Sequence, residues 1–236
     1  MRTFLIAIAA LIAVSATTIR YTHVKGTGEV VRRNLTVPPF HGIALRGSMD
    51  VRLTPGKTTS VTVEAQANIA DLVTTEVKDG IWMIATRSDY STQKPFVVHI
   101  QAPSIDMVSI EGSGEVTGEV AFTAGAVRLS VSGSGDMTLQ LDCDAVEAEV
   151  SGSGDIRLAG RCSTLKCGIA GSGDIDAARL ACRDAALSVS GSGSIGADAS
   201  GRVDASISGS GGIALARKPA SLSKRITGSG SLRVRP

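Results

Sequence analysis

The sequence predicts an all-β, parallel β-helix-like solenoid with coils of about 19–20 residues, preceded by an N-terminal β cap or small β domain. Three observations carry that prediction: a recurring triplet, a two-residue alternation on both of its sides, and a scarcity of large rings. The triplets are Gly112–Gly114, Gly133–Gly135, Gly152–Gly154, Gly171–Gly173, Gly191–Gly193, Gly209–Gly211 and Gly228–Gly230, each Gly-Ser-Gly, at steps of 21, 19, 19, 20, 18 and 19 residues. A period near 20 is that of a solenoid coil. Two residues before each first glycine stand Ile110, Val131, Val150, Ile169, Val189, Ile207 and Ile226, and four after it stand Val116, Met137, Ile156, Ile175, Ile195, Ile213 and Leu232. Every one is apolar. Alternation of period two on either side of a glycine turn means two strands per repeat, each with one buried face. Aromatic residues make up only 3% of the chain against 43% hydrophobic overall, which fits a thin Val, Ile, Leu and Ala core better than a sandwich or barrel.

The triplet has a physical purpose in such a stack. Glycine adopts φ > 0 and lets another backbone approach closely. With coils rising about 4.8 Å, each corner sits over the next, where a Cβ would collide. The intervening serines, and Ser132, Ser151, Ser190 and Ser208 just before them, are placed to form hydroxyl ladders.

Along the chain, residues 1–16 read as a secretory signal: Arg2, an apolar run from Phe4 to Val14, then Val14-Ser15-Ala16 for cleavage. The run is short for a membrane span, and an uncleaved N-terminal anchor is the alternative. Residues 17–35 read as a linker. Residues 36–106 read as β structure, with Ile43, Leu45, Met49, Val51 and Leu53 alternating with polar residues and turns at Pro55-Gly56 and Asp79-Gly80. Gly47-Ser48-Met49-Asp50 resembles a degenerate triplet, so this segment is either the cap and first coils or a small docked domain. Residues 107–236 form the repeat. Its end carries Arg217, Lys218, Lys224, Arg225, Arg233 and Arg235 and no acid, charges that discourage end-to-end stacking. A net charge of +2 gives no electrostatic case for nucleic acid. The expected setting is exported, in the periplasm or at the cell surface, with no transmembrane span after signal cleavage.

Three features together resemble the auto-transporter adhesin head GIN domain family. They are Pro39-Phe40-His41-Gly42-Ile43 followed by Gly47-Ser48-Met49-Asp50-Val51; Pro103-Ser104-Ile105 leading into Glu111-Gly112-Ser113-Gly114; and the series Gly133 to Asp136, Gly152 to Asp155 and Gly171 to Asp174. The resemblance covers about residues 36 to 232. It implies a β-helix-like fold and an exported or surface setting, and implies no particular activity.

Four groups of residues invite a functional reading. Asp136, Asp155 and Asp174, with Glu115 one coil earlier, would form a column of like charges; a Ca²⁺ ion would compensate them, whereas an Asx-type bond to each residue's own turn is the plainer reading. Cys143, Cys162 and Cys182 fall in one column, where Phe122 is expected to hold the preceding place, and Cys167 lies on the next strand. Disulfides and buried apolar thiols are both open. His23, His41 and His99 lie outside the repeat and pair with no nucleophile motif. Trp82 and Tyr90 are candidate glycan-stacking rings, core packing being the alternative. No cofactor is expected. The favoured function is a non-enzymatic adhesin or interaction protein with an envelope, glycan or protein partner. A structural or stress-related periplasmic envelope protein and, further off, a polysaccharide-active β-helix enzyme are the alternatives.

Overall fold

The computed structural model describes residues 23–235; the signal read in residues 1–16 lies outside them. The chain winds as a β-solenoid of about seven turns. Its strands form one 18-stranded sheet wrapped round a continuous apolar core, with a separate two-stranded pair. Coils pair in parallel and in register. Gly47, Gly112, Gly133, Gly152, Gly171, Gly191, Gly209 and Gly228 stack in one column, so the degenerate copy at Gly47 is the first corner of the same solenoid.

The corner works through its main chain. The first glycine of each copy has φ between +108° and +141°. The Gly112 carbonyl oxygen accepts the N–H groups of Ser134 and Gly135, both at 3.0 Å, and the pattern repeats up the stack. This main-chain ladder, rather than the hydroxyl ladder expected of the serines, joins the corners. A Cβ on Gly112 would lie 2.6 Å from the Gly47 oxygen, and one on Gly135 would lie 2.5 Å from the Gly114 oxygen.

Half a coil away the chain makes a second corner, and arithmetic requires it. Side chains alternate faces at every residue, so an odd period returns a column to the same face only with one change of phase. In Asp136–Gly152 the buried Met137, Leu139, Leu141 and Cys143 give way to Val146, Ala148 and Val150, the change falling at Asp144 and Ala145. The 20-residue coil has a second change at Ala178 and Arg179. In the 18-residue coil Ile195, Ala197, Ala199, Val203, Ala205 and Ile207 stay in one phase throughout. The 21-residue step is absorbed between Gly118 and Phe122, where Val120 is 53% exposed. That bulge corrects one expectation: Phe122 pairs with Leu141, and Ala124 rather than Phe122 precedes Cys143 in its column.

The two ends differ. At the N-terminal end, Gly42–Gly47 and Asp50–Pro55 make the first coil. Below it, Val97–Ala102 pairs antiparallel with Ser60–Gln66, which pairs antiparallel with Val30–Asn34. The short helix Ala67–Ala70 packs Ile69 into the core beside them. Residues 17–35, read as a linker, therefore supply the cap strand Val30–Asn34 and also Val24–Lys25, which pairs with Tyr90–Ser91. Their signal was hidden because an edge strand buries little, and Arg32 and Arg33 face out. At the other end no strand covers the last coil among the described residues. Ser221–Gly228 is exposed along its whole length, with Leu222 at 37% and Ile226 at 40%.

Candidate functional site

The phase change opens a groove. Where alternation breaks, small residues sit on the surface: Ala126, Ala145 and Thr164 succeed one another in register, with Asp184 next. Two residues on runs the column Arg128, Glu147, Lys166, Ala186, Asp204. Between the columns Val127, Val146, Leu165 and Ala185 point inward and leave an apolar floor. The result is an open groove of about 630 Å³ running across the coils, ending at His41 and Asp106.

The charges bordering the groove satisfy one another. His41 Nδ1 and Asp106 Oδ1 are 2.7 Å apart. Glu147 accepts from Arg128 at 3.2 Å and from Lys166 at 2.5 Å, one coil to either side. Arg202 pairs with Asp204 at 2.9 Å. The hydrogen bond and charge of Asp106 raise the His41 imidazolium above its ordinary value, and hydrogen bonds from Lys166 and then Arg128 lower the Glu147 carboxyl. Among the described residues, the His41–Asp106 pair has no groove hydroxyl beside it. The groove hydroxyl, Thr164, stands four coils from His41 by register, about 19 Å at a rise of about 4.8 Å, far beyond hydrogen-bond reach.

The acidic column lies at the other corner and is engaged otherwise. Asp136 Oδ1 accepts the Asp155 N–H at 3.2 Å, Asp155 Oδ1 accepts the Asp174 N–H at 3.1 Å, and Asp174 Oδ1 accepts the Ser194 N–H at 2.8 Å. The bonds run to the next coil, not to each residue's own turn, because the turn amides already donate to the glycine oxygen one coil back. Arg157 adds a cation to Asp155 at 2.8 Å. Among the described residues, no three His, Cys, Asp or Glu side chains converge in a way that could hold a metal ion.

Trp82 is wholly buried. Its Nε1 donates to the Thr74 carbonyl at 3.0 Å and its ring packs 5.6 Å from Phe40, so it offers no face to a sugar. Tyr90 is half-buried, edge-on to Phe96, with its hydroxyl 3.1 Å from Ser48 Oγ. His23 bonds Ser91 and His99 bonds Glu64. The four cysteines are free thiols. Burial raises the Cys143 thiol to about 11 and also raises Cys167. Each beside the other, the remaining two thiols shift in opposite directions, Cys162 raised and Cys182 lowered, and Cys182 Sγ donates to the Asp198 carbonyl at 3.2 Å.

Sequence reasoning missed the groove. Its one available signal was the pair Ala126 and Ala145 where the alternation slips, which a count of apolar residues does not distinguish from core.

Fold and groove together define a β-solenoid repeat domain with a groove laid across its coils. The family model described as "Putative auto-transporter adhesin, head GIN domain" matches residues 39–219, and the chain belongs to that family. Solved structures share the fold. One described as "a putative adhesin" from Bacteroides fragilis NCTC 9343 superposes with a TM-score of 0.85 at 23% identity, covering 90% of this chain and 100% of its own. A "putative lipid binding protein" from Parabacteroides distasonis ATCC 8503 gives 0.76 at 22% identity, covering 91% and 100%. A "putative adhesin" from Parabacteroides merdae ATCC 43184 gives 0.77 at 18%, covering 90% and 99%. No curated protein matches the chain. No helix among the described residues is long and apolar enough to cross a membrane.

Proposed function

We propose that this chain is a non-enzymatic interaction protein of the cell envelope or surface, of adhesin type, and that the groove at the second corner is its binding surface. The observation that carries the reading is the groove itself: an apolar floor continuous across several coils, bordered by charges already paired with one another. Such a surface rewards an extended ligand without net charge, which gains apolar contact and rim hydrogen bonds without breaking ion pairs. A neutral glycan strand fits this description. The adhesin description of the family, and the lipid-binding description of one structural neighbour, support a binding role over a catalytic one.

The test is a binding screen of the purified chain against neutral glycans and isolated envelope material, run beside Ala145→Arg. The wild type is expected to bind, and the arginine, set in the column beside the groove floor, to weaken binding at least tenfold at unchanged thermal stability. Equal binding by both proteins removes the groove from the account. A structural periplasmic role is the second reading, favoured by the uncovered last coil with its exposed Leu222 and Ile226. Protease shaving of intact cells separates the two: cleavage supports the surface reading, and protection until the periplasm is released supports the structural one.

A further inference from the structure

We propose that Cys162 and Cys182, free thiols in this structure, close on oxidation to a disulfide that staples two successive coils beside the groove. The strand register makes Cys143 and Cys162 partners on adjacent coils. It also pairs Arg161 with Ala181, which sets Cys162 beside Cys182 on the following coil. Three thiols thus stand in one column, and only one pair can close. Neighbouring parallel strands lie about 4.8 Å apart, inside the range of Cα separations that a disulfide spans. The register offers both pairs, and the upper one is favoured because Cys162 and Cys182 are each the strongest influence on the other's thiol, whereas burial, then Asp142 and Asp144, act on Cys143. Cys162 is also the part-exposed member of the set, the point a reagent reaches, while Cys167 is 1% exposed on the other face.

The oxidant is a disulfide compound, either a small molecule such as oxidised glutathione or a disulfide oxidoreductase. One cysteine thiolate attacks a sulfur of the oxidant, breaking its S–S bond and releasing one thiolate. The second cysteine then attacks the protein-bound sulfur, forming the Cys162–Cys182 bond and releasing the other. Both cysteine protons pass to the two released thiolates. Two thiols are oxidised and one disulfide is reduced. The bridge fixes the coils that carry Thr164 and Asp184, two residues further along each, and both of these line the groove.

Trypsin places the four cysteines on four peptides: 129–157, 162–166, 167–179 and 180–183. The full chain is equilibrated with oxidised glutathione, unfolded in an alkylating reagent, digested and analysed by mass spectrometry. The expected result is a cross-linked 162–166/180–183 pair, with Cys143 and Cys167 alkylated. Cys143→Ser is expected to keep that cross-link and Cys182→Ser to lose it, each variant first shown to unfold cooperatively. Four alkylated cysteines, or a wild-type bridge from Cys143 to Cys162, overturns the proposal.

Discussion

At the Gly-Ser-Gly corner, eight stacked glycines share φ between +108° and +141° and one pattern of main-chain bonds. Between that corner and the one half a coil away, the steps of 18 to 21 residues are reconciled by bulges at Gly118 to Phe122 and at Ala178, and the side chains change from coil to coil. The first corner is uniform because each copy is the steric floor of the next, so one departure disturbs two neighbours. The second is variable because its residues face solvent and its pairing tolerates a slip. The variable corner is also where the groove lies. A repeat can diversify its surface only where the stack does not dictate the residue.

The largest expected effect comes from insertion. One alanine placed between Ser153 and Gly154 flips the buried face of every downstream residue in that coil, and should lower stability by more than about 3 kcal/mol in chemical unfolding. The same insertion between Val120 and Ala121, where the chain is already unpaired and Val120 exposed, should stay within about 0.5 kcal/mol. Equal losses would erase the distinction between the corners.

A smaller contrast uses two glycines. Gly135→Ala presses a methyl onto the Gly114 oxygen and should cost about 1–3 kcal/mol. Gly125→Ala, at the variable corner with nothing within 4 Å of its Cβ position, should be neutral or stabilise by about 0.4–1 kcal/mol. Unfolding midpoints of the two variants measure the difference directly.

The smallest effect concerns the groove's charges. Glu147 lies between Arg128 and Lys166, which hold its carboxyl below the ordinary 4.5. A carboxyl lowered in the folded chain contributes stability above its unfolded value and loses it as the pH falls through the folded one. Glu147→Gln should therefore lower the unfolding midpoint slightly at neutral pH, with the difference from wild type vanishing below pH 4.5. A difference that persists in acid points to packing rather than charge.

The sequence by itself determined the coil. Isoleucine and valine two residues before each triplet, apolar residues four after it, and glycines at the corner leave a solenoid as the arrangement that buries each copy covered by the next, and the observed register keeps to those columns. It also placed Cys143, Cys162 and Cys182 in one column, because that column comes from counting residues. Tertiary structure alone decided the rest. The bulge at Gly118 to Phe122 moved Ala124 into the place expected of Phe122, since a count cannot tell which residues a coil extrudes. The Asp ladder bonds upward to the next coil because stacking had already occupied the local amides. Trp82 went to the core and the groove appeared at Ala126 and Ala145, both for the same reason: burial depends on what lies across the coil, and a sequence read along the chain does not contain that neighbour.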